Sequence, residues 1–253
     1  MDPNPQSALP LPSRPNLEYY RKQAKSLLKT YKSGEPLDDF VRKTLTAKGT
    51  LASAQFVIAR RHGFESWPKF SKHIEALSRQ NSPTSNFEAA ADAIVNGDIA
   101  TLKRLLHPKL ARAVSTREHG ATLLTYVAAN GVEQYRQKTP ANIVEIAKIL
   151  LDAGAEIDAA ANMYGGRCTT LGLAATSVHP ERAGVQEPLL QLLLDHGARL
   201  DFALRGKWTF PAFRVHRQRA SESRRISRQS RSFDGLRNRG GTWTNRHRQN
   251  VVQ

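Results

Sequence analysis

One cysteine, Cys168, stands in a chain of 253 residues. It excludes an internal disulfide and a multi-cysteine metal site, and it suits a reducing compartment. No apolar run reaches the roughly eighteen residues that a membrane span needs. The first fifteen residues hold five prolines and no apolar core of a secretory leader. These absences lead to the expectation of a soluble cytoplasmic protein without a membrane partner. Acidic residues are scarce, 22 against 38 Lys+Arg for a net charge of +16. Eight histidines are scattered without His-Glu-x-x-His or zinc spacing. Ser26 to Lys29 and Ser66 to Lys69 each fit Ser-x-x-Lys, a pattern common by chance, and no companion motif accompanies either. Gly165-Gly166 precedes no Lys-Ser/Thr, so it reads as a turn and not a phosphate loop. Cys168 reads as a small packed residue. No set of acid, base and nucleophile is visible. The chain is therefore expected to be no enzyme, with no cofactor and no metal.

What is present is a repeat. Leu150-Leu151-Asp152-Ala153-Gly154-Ala155 recurs forty-three residues later as Leu193-Leu194-Asp195-His196-Gly197-Ala198. Each copy closes an apolar helix at Gly-Ala, where glycine supplies a positive φ. A recurring unit of this kind predicts stacked modules.

The periodicity predicts an all-α chain. Residues 1–15 read as a flexible N-terminus. Residues 16–78 read as a small helical domain, with Asn16 and Ser66 as caps, Gly34 and Gly63 as stops, and Trp67, Phe70, Ile74 and Leu77 lining one face. Residues 79–86 (Ser, Gln, Asn, Pro, Thr) read as a linker. Helix pairs follow over 87–203: 88–95 with 99–106, 122–130 with 143–153, and 169–177 with 188–195. The stretches 132–141 and 178–186 read as insertions.

These pairs resemble ankyrin repeats. Thr122, Leu124, Ala128 and Gly131 match the opening Thr-Pro-Leu-His-x-Ala-Ala-x-x-Gly, as do Thr169, Leu171, Ala174 and Ala175. Leu150 to Asp158 and Leu193 to Asp201 match the ending Leu-Leu-x-x-Gly-Ala-x-x-Asn/Asp in full. The Pro and His of the opening are missing from both copies, and each unit is roughly ten residues longer than the usual 33. Residues 14–25, 54–60 and 63–68 also resemble a short helical region found ahead of ankyrin repeats in some bacterial proteins. The resemblance implies a short solenoid of about three helix pairs that binds an unidentified protein along its fingers and first helices. Carried onto this sequence, it selects Arg117, His119, Tyr126, Asn130, Asn162, Tyr164, Arg167, Leu173 and Ser177 as partner-binding. Packing on a neighbour is the competing role for Leu173, and filling a finger is that for Tyr164.

Residues 204–253 form a different problem. They hold 13 Lys+Arg against 2 Asp+Glu, and Leu, Ile, Val and Phe number only nine. So few apolar side chains predict a disordered tail. Its arginines, with Trp208, Phe210, Phe213 and Trp243 between them, suit nucleic acid as an alternative partner. A solvated tail without a role is a second reading. A third is a change of reading frame near Phe210: Thr209 opens a further motif that breaks off, and arginine replaces lysine almost entirely. In that case the array lacks an outer cap, and marginal stability or self-association is expected.

Overall fold

The computed structural model describes residues 7–12, 14–47 and 49–199, and those residues are mostly helical. The segment 204–253, with its predicted disorder and nucleic-acid reading, lies outside them.

Four helices build the first part: α1 (Leu17–Lys32), α2 (Asp39–Ala47), α3 (Leu51–Arg61) and α4 (Trp67–Leu77). Asn16 caps α1, its side chain accepting from the Glu18 N–H at 2.8 Å. Ser66 occupies the start of α4 without making the expected side-chain cap bond; Pro68 in the first turn removes one N–H that would need it. α3 packs against α1, α2 and α4. Its buried Ala54, Val57, Ile58 and Ala59 meet Tyr20, Phe64, Phe70 and Ile74 in one core. Phe70 takes Tyr20 and Phe64 edge-on at centroid distances of 4.9 and 5.4 Å, and His62 stacks on it at 5.3 Å. The chain ahead of α1, expected to be mobile, is tied to this core. Leu9 donates to the Arg61 carbonyl at 2.8 Å, its own carbonyl faces His62 Nδ1 at 3.1 Å, and Ala8 is buried.

The expected linker is shorter than 79–86, because α5 (Pro83–Asn96) begins inside it. Ser82 caps the Ser85 N–H at 3.0 Å and Pro83 fits the first helical position. α5 turns at Gly97 (φ +77°) into α6 (Ile99–Leu105), followed by the single turn α7 (Pro108–Ala111). α8 (Leu123–Tyr126) is shorter than the predicted 122–130. Beyond Tyr126 the chain continues in tight i→i+3 bonds to Ala129, whose φ of +47° ends the helical path. α9 (Ile143–Asp152), α10 (Thr170–Thr176) and α12 (Gln186–Asp195) fall where the periodicity puts helices. The two insertions also carry structure: a 3₁₀ turn at Gln134–Arg136, and α11 (Val178–Arg182), started by Ser177.

The all-α expectation needs one correction. β1 (Ala160–Met163) pairs antiparallel with β2 (Gly166–Thr169), with Met163 opposite Gly166. Only Tyr164 and Gly165 close the hairpin, at φ +54° and +75°, the positive values that a tight two-residue turn requires.

The helix pairs lie side by side. α8 packs on α5 and α10, and α12 packs on α9 and α10. One continuous core runs from Phe87 through Leu124, Ile146 and Leu171 to Leu193. Polar bonds repeat the stacking at the turns: Asn142 donates to the Gly97 carbonyl (2.9 Å), Arg112 to that of Gly154 (3.0 Å), and the Arg199 N–H to Asp158 Oδ1 (3.0 Å).

Candidate binding face

Two loops project between consecutive pairs. The first, residues 112–122, is closed by the Val114–Thr122 bridge; the second is the β1–β2 hairpin. The Asn162 N–H donates to the His119 carbonyl at 2.8 Å, so the two fingers are in register. They differ in what covers them.

The first finger lies against the N-terminal helices. The Glu118 N–H donates to the Gly63 carbonyl at 3.0 Å, and its carboxylate pairs with Arg60. Thr116 Oγ1 lies 2.7 Å from His73 Nδ1. Arg117 donates from Nη1 to the His62 carbonyl at 2.8 Å, and its guanidinium lies over the Phe64 ring.

Behind this contact is a buried charge cluster that sequence reasoning missed. Arg117 Nε is 2.5 Å from Glu133 Oε1, and its Nη2 is 3.3 Å from Glu88 Oε2. Arg136 Nη1 reaches the same Glu88 oxygen at 2.8 Å, and Nη2 reaches Asp92 at 2.8 Å. His119 receives the Ala121 N–H on Nδ1 at 3.0 Å. Its proton is thereby placed on Nε2, which faces Glu133 Oε1 at 3.3 Å.

Two carboxylates and two guanidiniums thus share the interior, where an unpaired charge is very costly. Burial alone raises the Glu88 carboxyl, but Arg117, Arg136 and His73 outweigh it and hold it below its usual range. Burial likewise raises Glu133, and Arg117 with the His119 hydrogen bond depresses it further still. Burial works to lower Arg117, and Glu88 and Glu133 reverse this and raise it. Burial lowers His73 to about 4 against the pull of Glu88, and lowers His62 to about 4 against the Leu9 carbonyl. Burial also pushes Tyr135, whose hydroxyl accepts from Arg117, up to about 12.

Five of the nine residues expected at a partner surface are therefore inside. Arg117 and His119 belong to the charge cluster. Tyr126 packs between Phe87 and His119 under the Arg136 guanidinium. Leu173 is fully buried in the inter-pair core, so packing is its role. Ser177 is buried at the start of α11, its hydroxyl 3.4 Å from the Ala129 carbonyl.

Asn130 is half-buried and acts as a clamp. Its amide donates to the Leu173 carbonyl and to Thr176 Oγ1, each at 3.1 Å, while its oxygen accepts from the Tyr164 hydroxyl. Asn162, Tyr164 and Arg167 remain exposed, all on the second hairpin. Met163 points inward, its sulfur against Gly131, and Cys168 is buried beside it, its thiol raised by burial to about 11.

Among the described residues there is no cluster of His, Cys, Asp and Glu able to hold a metal, and no helix is long and apolar enough to cross a membrane. The chain matches no protein-family model and no curated protein.

Proposed function

We propose that the stacked helix pairs form a short ankyrin-type array that holds another protein without catalysis, and that the second hairpin is the part that touches it. The repeated Leu-Leu-x-x-Gly-Ala ending and the side-by-side packing of α8, α10, α9 and α12 support the scaffold. One observation carries the binding reading. Tyr164 occupies a left-handed turn position, φ +54°, with 43% of its surface exposed. A tyrosine there costs about 1–2 kcal/mol of backbone strain, and Asn or Gly would relieve it. Asn130 holds the hydroxyl, so the ring is fixed in direction before any partner arrives. A rigid, exposed tyrosine flanked by Asn162 and Arg167 has the composition of an interface centre.

A photo-crosslinking side chain placed at Asn162 of the full chain, expressed in its source cell, tests this. The expected result is a discrete adduct with one other protein, lost when Tyr164→Ala is added and absent when the crosslinker replaces buried Leu173. No adduct from position 162, or one indifferent to Tyr164→Ala, would overturn the reading.

A further inference from the structure

α1 gathers cations on one side. At about 100° per residue, Arg21, Lys22, Lys25, Lys29 and Lys32 fall within an arc of about 100°, and all five are exposed. The opposite side, Tyr20, Ala24, Leu27, Leu28 and Tyr31, packs into the helical core. Tyr19, Gln23 and Ser26 border the cations; Tyr19 is 55% exposed and its hydroxyl accepts from Gln23 at 2.8 Å. Glu18 pairs only with Arg21, at 3.5 Å, and among the described residues no carboxylate forms an ion pair with the four lysines.

Among themselves these cations destabilise α1. Lys22–Lys25, Lys25–Lys29 and Lys29–Lys32 are like charges at the spacings that repel. The helix dipole favours Lys29 and Lys32 in the last turn, but it gives no reason for Lys22 and Lys25. A polyanion relieves the repulsion.

We propose that the α1 lysine stripe docks the phosphate backbone of a nucleic-acid duplex, independently of its base sequence. The eleven steps from Arg21 to Lys32 span about 16 Å at about 1.5 Å each. A duplex presents a charge about every 1.7 Å of its axis, so a straight helix meets several phosphates at once. The bordering hydroxyl and amide groups suit phosphate and sugar oxygens. An anionic membrane fits less well, since an interfacial helix needs an apolar face to insert, and that of α1 is committed to the core.

The test uses the full chain and a labelled mixed-sequence DNA duplex of about 20 base pairs, with affinity read by fluorescence anisotropy across a salt series. The cations of residues 204–253 contribute equally to every version, so the comparison of slopes isolates α1. Replacing Lys22, Lys25, Lys29 and Lys32 with glutamine should flatten the plot of log affinity against log salt by about 2 to 3.6 units. The version with all four as arginine should keep the parent slope, and both should keep the parent melting temperature because the sites are exposed. A flattening below about two units, or an equal loss in the arginine version, overturns the proposal. So does loss of binding to phosphatidylserine vesicles with the duplex slope unchanged, which would assign the stripe to a membrane surface. Should the glutamine version melt early, Lys22→Gln with Lys29→Gln replaces it, and the expected flattening is about 1.8 units; one below about 0.9 overturns the proposal.

Discussion

Glu133→Gln keeps the shape of the side chain and removes one charge from the most enclosed part of the molecule. Glu133 is wholly buried and faces Arg117 at 2.5 Å, His119 at 3.3 Å and Arg136 at 3.7 Å. The amide leaves two guanidiniums sharing Glu88, the other buried carboxylate beside them among the described residues. Removing one partner of a buried pair costs about 3–5 kcal/mol, chiefly because the remaining charge is stranded. For a folded region of this size that amounts to a fall in melting temperature of about 6–20 °C. Urea unfolding at pH 7.5, followed by far-ultraviolet circular dichroism, measures it. The companion variant is Arg117→Met together with Glu133→Gln. It removes the stranded charge and leaves Glu88 with Arg136 at 2.8 Å. The double variant should lose less than the sum of the two single losses by more than about 1 kcal/mol. A cost below about 1 kcal/mol for Glu133→Gln, or strict additivity in the double variant, would refute the view that these charges depend on one another.

The same cluster sets the acid behaviour. His62 and His73 sit near 4 in the folded protein, below the ordinary 6.5, so the unfolded chain takes up their protons first. Stability is therefore full above about pH 6.5 and falls toward pH 4, by up to about 1.4 kcal/mol per pH unit for each histidine. The depressed carboxyls of Glu88 and Glu133 add a further loss as the pH falls below their unfolded values. Melting temperatures at constant ionic strength check this, and a flat profile between pH 6.5 and 5 would contradict it. Two glycines separate steric from conformational cost. A Cβ at Gly131 (φ +77°) would lie 2.2 Å from Met163 Sδ, whereas one at Gly165 (φ +75°) meets nothing within 4 Å. Gly131→Ala should cost about 2–5 kcal/mol, left-handed strain plus overpacking, and Gly165→Ala about 1–2 kcal/mol from strain alone. Equal shifts in urea midpoint would count against the Met163 contact.

The helices were legible because their signals are local. The 3.6-residue periodicity of α1, α4, α9 and α12, and the glycines just past α1, α9 and α12, need only neighbouring residues to read. The error at α5 is also local: Ser82-Pro83 looks like a linker by composition, yet it is a cap and a first helical residue. The charge cluster is different in kind. Glu88 comes from α5, Arg117 from the first finger, and Glu133 and Arg136 from the insertion between two helices, so no window of sequence holds it. One trace was present. Glu88 shares the helical face of Ala91 and Val95, where an apolar residue is expected, and a charge on a buried stripe needs a partner from elsewhere. Burial of Tyr126, Leu173 and Ser177 was hidden for a related reason. The resemblance placed them on the first helices, but Tyr126 lies in α8, a single turn whose four residues are all enclosed, Leu173 faces the core from α10, and Ser177 starts α11.

The unequal covering of the two fingers has a physical cause. A stack of helix pairs leaves each terminal pair with one unburied side, and at the N-terminal end α4 packs against α5. The first finger closes this contact with groups that would otherwise face outward: Thr116 to His73, Arg117 to the His62 carbonyl, and Glu118 to Arg60 and Gly63. What resembles a recognition loop in sequence is, in the folded chain, already bound to the chain's own helices. The second hairpin meets the first finger through the backbone bond from Asn162 to His119, and its Asn162, Tyr164 and Arg167 are exposed. Availability along the array is thus set by which finger adjoins the N-terminal helices, not by the residue types the fingers contain. It follows that loosening this contact, as Glu133→Gln should, releases Thr116 from His73 and Glu118 from Arg60 and Gly63 before it disturbs Tyr164.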